Sequence, residues 1–273
     1  MAAIPAADGR VRVMGILNIT PDSFSDGGRF CTEEAIRAQT ETMVAAGADI
    51  IDVGGESTRP FAEPVPIQEE LDRVLTAIAC IRRHSPIPIS IDSTKATVAR
   101  QALAAGADII NDISALRFDP EMIEVVRQTR APVIIMHMQG TPSTMQVEPT
   151  YGDVVAEIIS FLEERLQWAE GMGVARERFI VDPGIGFGKN VTHNLQILRR
   201  LREFAGLGCP VLVGHSRKSF IGKILQRGVD EREIGTVAVS VLAMLHGASI
   251  LRVHDVSKTV QAVRMIEAVM GSE

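Results

Sequence analysis

One unit recurs eight times along this chain of 273 residues: a short apolar run, a polar or glycine-rich end, then a helix-length amphipathic stretch. The runs are Val11 to Leu17 before Asn18, Asp49 to Val53 before a double glycine, Ile87 to Ile91 before Asp92, and Ile109–Ile110 before Asn111. They continue with Val133 to Met136 before His137, Phe179 to Val181 before Asp182, Val211 to Val213 before Gly214, and Ser249 to Val253, which carries Arg252 and ends at His254. Runs this apolar, without clean alternation, suit parallel strands covered by helices on their outer face. An open doubly wound sheet is the competing arrangement. Eight strand–helix units with no linker and no shift in composition favour closure, which also removes the edge strands. The fold class expected is therefore α/β, a single (β/α)8 TIM barrel over residues 11–273 behind a short extension, 1–10.

The spacing is uneven in an informative way. Between Asp92 and Asn111 there is room only for a short helix, Thr94 to Ala104, with Asp92 and Ser93 as capping candidates. Between His137 and Asp182 a long loop, Gln139 to Thr150, precedes a helix from Tyr151 to Glu170. Ala46 to Asp49, Ala105 to Asp108 and His246 to Ser249 read as helix ends with glycine near the C′ position.

A net charge of −6 disfavours wholesale binding to nucleic acid or to an anionic membrane. No apolar stretch approaches the ~18 to 20 residues that span a bilayer, and the amino terminus lacks the positive region of a signal peptide. Cys31, Cys80 and Cys209 are odd in number and dispersed, which indicates neither a disulfide framework nor a zinc cluster and fits a reducing cytoplasm.

The chemistry is concentrated by position. Asn18, Asp52, Asp92, Asn111, His137, Asp182, Arg252 and His254 all end strands, and in a parallel barrel such ends gather on the C-terminal face. A single Asp or Asn there is usually a helix cap; a ring of them is harder to explain so. Asp52 lies before its strand is finished, and its buried carboxylate needs a donor, from the loop backbone or from a side chain such as Arg59. Arg252 and His254, two apart on a strand, point to the same side and would clamp phosphate oxygens; the alternative is an arginine paired with a barrel-top aspartate. The loop Asp182 to Asn190 (DPGIGFGKN) fits neither the dinucleotide fingerprint nor the Walker A spacing. Its glycines suit close approach to a flat ligand, with Phe187 either covering that ligand or packing at the rim. Gly214 to Ser219 (GHSRKS) opens the next helix, whose first N–H groups suit an anion, with Lys218 either reaching the site or solvated. No HExxH and no GxSxG occurs.

MGILNITPDSFSDGG (14–28), DVGGESTRP (52–60), ISIDSTK (89–95), MHMQGTPSTMQ (136–146), DPGIGFGK (182–189), GHSRKS and RVHDV (252–256) together closely resemble the dihydropteroate synthase family. That resemblance implies a (β/α)8 barrel, usually a homodimer, that joins 6-hydroxymethyl-7,8-dihydropterin diphosphate to 4-aminobenzoate. It implies a pterin-binding set of Asp92, Asn111, Asp182 and Lys218, with Met136 and Phe187 against the ring. It implies diphosphate contacts at Asn18, Arg252 and His254 with Mg2+ at Asn18, and aminobenzoate surroundings at Thr58, Arg59, Pro60 and Ser219. Asp52 and Gly214 complete the substrate-binding set, and Asp92, Lys218, Arg252 and His254 are the catalytic candidates. Where the family commonly continues STRP with glycine, this chain has Phe61. Two other functions compete: a pterin-binding methyltransferase barrel, which has no diphosphate to hold, and a non-catalytic scaffold, which would have lost charged site residues.

Overall fold

Each apolar run forms a strand, and every paired strand is parallel to its neighbour. The computed structural model describes residues 9–20, 32–57, 64–142, 144, 145 and 147–271. In chain order the elements are β1 (Arg12–Asn18), α1 (Glu33–Ala45), β2 (Ile50–Gly54), α2 (Ile67–His84), β3 (Ile89–Asp92), α3 (Ala96–Ala104), β4 (Ile109–Asp112), α4 (Met122–Gln128) and β5 (Val133–Met136). They continue with α5 (Val154–Gly171), β6 (Phe179–Asp182), α6 (Val191–Arg199), β7 (Leu212–Val213), α7 (Ser219–Leu225), α8 (Glu233–Leu245), β8 (Ile250–Val253) and α9 (Val256–Gly271).

The sheet runs β6-β5-β4-β3-β2-β1-β8-β7. A parallel bridge between Val181 and Val211 joins its two ends, with the Val181 N–H donating to the Pro210 carbonyl at 2.9 Å. The ring closes, and the open-sheet alternative falls. Alternation along the strands then sorts side chains into two apolar bodies. Outward residues such as Val13, Ile51, Ile89, Ile110, Ile135 and Val181 pack under the helices. Inward residues Met14, Ile50, Ile109, Ile134, Ile180, Leu212 and Ile250 plug the barrel, none more than 1% exposed.

The expected glycine C′ positions hold, with φ of 92° at Gly47, 113° at Gly106 and 97° at Gly247. The expected caps on the short helix do not. α3 begins at Ala96, whose N–H is satisfied by Asp119 Oδ2 at 2.8 Å, while Ser93 Oγ accepts from the Lys95 N–H instead. Asp92 is turned inward to the barrel and is taken by Arg252. α5 starts three residues later than Tyr151, where Asp153 accepts from Val155 and Ala156. No helix of the described residues is long and apolar enough to cross a membrane.

Candidate active site

Directly above the plug, the next inward residue of six of the eight strands is polar or small: Asp52 after Ile50, Asp92 after Ser90, Asn111 after Ile109, Asp182 after Ile180, Gly214 after Leu212 and Arg252 after Ile250; β1 and β5 continue with Ile16 and Met136. Arg252 occupies the centre. Its Nε donates to Asp52 Oδ2 at 2.6 Å and its Nη2 to Asp92 Oδ2 at 2.7 Å. Asn111 Nδ2 donates to both oxygens of Asp52 at 3.3 Å. The donor required by Asp52 is therefore Arg252 with Asn111, and the ion-pair alternative for Arg252 is the arrangement present. Burial alone would lower the arginine's pKa, yet Asp52 and Asp92 hold it above its ordinary value. Burial pushes Asp92 up to about 7, against the pull of Arg252 and with the repulsion of Asp52. Arg252 and Asn111 tie Asp52 and Asp92 into one bonded group across the floor, so a ligand here meets oriented dipoles rather than floppy chains.

The opposite wall is built by the loop after β6. Asp182 Oδ1 accepts from the Gly184 N–H at 2.7 Å, a bond that opposes the upward push of burial on the Asp182 pKa. Gly184, at φ 70°, passes so close to the end of β5 that any Cβ would run into the His137 carbonyl oxygen. Lys218 reaches over from the loop after β7: its Nζ donates to the Ile185 carbonyl and sits 4.0 Å from the centre of the Phe187 ring. Burial pulls the Lys218 pKa down to about 7, with Asp182 acting in the other direction. Phe187 packs beside a buried cluster of Ile113, Met136, Met138 and Met145. Gly214 leaves the space between Asp182 and Arg252 open, since a Cβ there would lie 3.7 Å from Asp182 Oδ2 and 3.8 Å from Arg252 Cδ.

At the mouth, Asn18 Oδ1 and the Asp92 side chain flank Gly54. His254 is half-buried, with Nδ1 2.9 Å from Ser216 Oγ and its N–H donating to the same oxygen at 3.2 Å. Ser219 is exposed at the first residue of α7, a helix of only seven residues. Thr58, Arg59, Pro60 and Phe61 lie outside the described residues.

His137 does not join the ring of strand-end groups. It follows inward-facing Met136, so its side chain turns outward, edge-on to Phe161 with ring centres 5.0 Å apart. Three residues that the sequence reading passed over matter here. Ser216 orients His254. Lys95 bonds Glu56, buried Glu70 and, at 2.7 Å, the Val65 carbonyl, tying together the two flanks of residues 58–63. Lys189 is buried under the β6 loop at 3% exposure. A serine in GHSRKS and a lysine in a glycine loop carry no local signal that separates these roles from a solvated surface.

Chemically, the basin offers carboxylate acceptors, an amide able to give and take, a compact cation and a guanidinium, around a space walled by Phe187 and methionines. That combination suits a flat heterocycle with adjacent N–H donors and ring acceptors, bearing an anionic arm. Residues 14–254 match the model of the pterin binding enzyme family. The chain is 51% identical over 260 residues to the dihydropteroate synthase of Synechocystis sp., an alignment covering 95% of this chain and 90% of that one. It superposes with a TM-score of 0.91 and 46% identity on Xanthomonas albilineans dihydropteroate synthase with 4-aminobenzoic acid, covering 97% of this chain and 94% of that one. The same enzyme in complex with 7,8-dihydropteroate superposes with a TM-score of 0.88 at 44% identity, covering 97% and 95% of the two chains.

Proposed function

The chain belongs to the dihydropteroate synthase family, and from that membership and the basin we infer the reaction: 6-hydroxymethyl-7,8-dihydropterin diphosphate and 4-aminobenzoate are condensed to 7,8-dihydropteroate and diphosphate. The observation that carries the residue roles is the single basin in which Asp52, Asp92, Asn111, Asp182, Lys218 and Arg252 converge above one apolar floor. Asp182 and Asn111 bind the aminopyrimidinone edge of the pterin, Lys218 donates to a ring acceptor, and Met136 and Phe187 cover its faces. The diphosphate lies towards Arg252, Asn18 and His254.

The C–O bond between the pterin methylene and the diphosphate breaks, and both electrons leave with the diphosphate. Positive charge then spreads from the methylene into the ring, where the Asp92 carboxylate stabilises it; this interaction is stronger in the transition state than in the ground state. The neutral aromatic amine attacks, a C–N bond forms, and the amine's proton is lost to solvent or to the departing diphosphate. The ion pair seen at Arg252 is part of this design: a bound diphosphate takes up the guanidinium's charge and frees Asp92 to face the developing cation.

Mg2+ fits this site as a substrate-borne ion. It keeps several waters and takes one or two protein oxygens together with phosphate oxygens. Asn18 Oδ1, beside Asp92 at the basin edge, is a hard oxygen of the right kind. When bound, the ion offsets charge on the leaving diphosphate.

A homodimer also belongs to this reading. α8 buries Thr236, Ser240 and Ala243 and packs Val239 and Met244 on the core, but leaves Ile234 85% exposed at its start and Leu242 and Leu245 exposed near its end. Ile224 and Leu225 of α7 are exposed near them. A second copy of this chain is the occupant, and a stable monomer by sedimentation at micromolar concentration refutes it. The dispersed cysteines, with Cys80 and Cys209 free and buried, support the cytoplasm as the compartment.

Diphosphate release and dihydropteroate formation by the purified protein, with and without Mg2+, test the reaction. Equal amounts of both products are expected; failure of dihydropteroate to form from the two substrates refutes it.

A further inference from the structure

We propose that Lys189 is a positioning residue for the pterin pocket, a buried ammonium that fixes Phe187 against the end of β5 and adds positive charge behind Asp182. This rests on the pterin reading above. The geometry is specific. Lys189 Nζ lies 2.9 Å from the Phe187 carbonyl, 3.3 Å from the His137 carbonyl and 2.9 Å from His137 Nδ1. An ammonium has three N–H donors and no acceptor, and here it has three acceptors. With Nζ as an ammonium, His137 accepts at Nδ1 and carries its proton on Nε2. Burial, with the Lys189 charge adding to it, pushes the pKa of the ring down to about 2.

The bonds of Lys189 Nζ among the described residues include no carboxylate, and burial pushes its pKa well down. A buried cation without an ion-pair partner is costly, so packing alone would favour Met or Leu at this position. What the charge does contribute is a field on Asp182, the residue that pulls the Lys189 pKa back up and whose own carboxylate form Lys189 favours in return. The rest of the loop is already held by other groups. Gly184 is fixed by Asp182, Gly186 by Asn194 Oδ1 at 2.7 Å, and Gly188 by the Tyr151 hydroxyl at 2.7 Å. Residue 187, which carries the ring, has its carbonyl held by Lys189. The ammonium thus joins the two elements that bring Met136 and Phe187 to the pocket, without touching the substrate itself.

The charged and titratable groups facing Asp182 are Lys218 from the β7 loop, Lys189 from its own loop and Arg252 from β8. Those facing Lys189 are Asp182, Lys218, His137 and, from α6, His193. Removing the Lys189 charge leaves Asp182 easier to protonate, which moves the acid limb of pterin binding to higher pH.

The experiment is calorimetric titration of 6-hydroxymethylpterin into the full-length wild type, Lys189→Met and His137→Leu across pH 5 to 8, with KM for 4-aminobenzoate measured alongside. Lys189→Met should weaken pterin binding by at least about tenfold, because three buried acceptors lose their donor, and should shift the acid limb upward. KM for 4-aminobenzoate should stay close to the wild-type value. His137→Leu removes one acceptor and leaves the cation, so it should weaken binding less and leave the limb in place. The His137 variant keeps the test open where Lys189→Met does not fold: an upward shift of the limb in His137→Leu overturns the proposal. So does a folded Lys189→Met that loses only thermal stability, or one that weakens both substrates equally. Absence of pterin binding by the wild type instead overturns the pterin reading itself.

Discussion

Two layers of side chains are stacked inside this barrel, two residues apart on the same strands, and they obey opposite rules. The lower layer is Met14, Ile50, Ile109, Ile134, Ile180, Leu212 and Ile250, dry and aliphatic. The upper layer places Asp52, Asp92, Asn111 and Asp182 almost as deeply, with Asp52 completely buried, around the half-buried Arg252. The backbone is the same for both. Volume-conserving aliphatic swaps are tolerated in a layer of the first kind. A layer of the second kind carries three carboxylates near one guanidinium and one lysine, and its desolvation exceeds what a packed aliphatic layer would cost. The barrel would be sturdier with the lower layer repeated. The upper layer exists because a ligand completes it.

The largest effect should come from breaking the centre of the upper layer. Arg252→Met strands Asp52 and Asp92 side by side, and unfolding in urea at neutral pH should show a loss of about 3–5 kcal/mol, the cost of leaving a buried charge uncompensated. Binding of the pterin diphosphate should fall far more than binding of a pterin without phosphates. Equal losses for the two ligands would reduce Arg252 to a structural ion pair.

Next in size is a matched pair on one strand. Ile180→Ala opens a cavity in the lower layer and should cost about 2–5 kcal/mol of stability, with both Michaelis constants kept. Asp182→Ala, one step above it, should cost about 2–5 kcal/mol of pterin affinity and little stability, since its upward-shifted pKa marks a carboxylate that burial penalises. Calorimetry and thermal melts on both variants separate the cases. If the two losses trade places, the division of labour between the layers is wrong.

Acid–base behaviour sharpens the comparison further. Folded Asp92 keeps its proton up to about pH 7 against an ordinary 3.8. Between those values the folded protein binds more protons than the unfolded chain, so this group's contribution is full below 3.8 and is lost as the pH rises to about 7. Lys218 acts in the opposite sense: burial lowers it to about 7 from 10.5, and between these the unfolded chain holds the extra proton, so stability recovers as the pH rises. Together they put a minimum near neutrality into the stability of the ligand-free protein. Asp92→Asn should remove the falling arm, seen as a difference from wild type that changes between pH 4 and 7. For Ile180→Ala the difference should stay flat across the same range.

Most of this architecture was legible because each strand is a short apolar run that stops at a polar residue. That pattern pointed to Asp92, Asn111, Asp182 and Arg252 at the top of the barrel, with Asn18 and His254, and there the structure has them. The same reading misplaced His137, since one residue beyond inward Met136 is enough to turn a side chain to the other face. Contacts made across the ring were not legible. Which aspartates Arg252 meets depends on how β8 is staggered against β2 and β3 once the barrel closes, and no local pattern records that stagger. The cap of α3 comes from Asp119, far along the chain, and the buried stations of Lys95 and Lys189 are set by neighbouring loops. A lysine looks alike in sequence whether its amine meets water or three acceptors.

The smallest effect compares two serines, one from each regime. Ser216 Oγ accepts the His254 N–H and lies 2.9 Å from His254 Nδ1. The hydroxyl, already held by the His254 N–H, anchors the Nδ1 edge of the ring and so turns Nε2 towards the mouth of the site. Ser216→Ala removes this anchor and leaves the ring to rotate. A lost bond of this kind is worth about 0.5–1.5 kcal/mol, so KM for the pterin diphosphate should rise roughly 2- to 13-fold while affinity for an unphosphorylated pterin holds. Ser90 lies at the junction of the two layers, fully buried, and its Oγ has no partner among the described residues. Ser90→Ala therefore relieves an unpaired hydroxyl and should leave the melting temperature unchanged or higher, with no effect on either substrate. Should Ser90→Ala weaken pterin binding instead, the polar layer begins one residue deeper than the ion pairs show, and that hydroxyl belongs to the pocket floor.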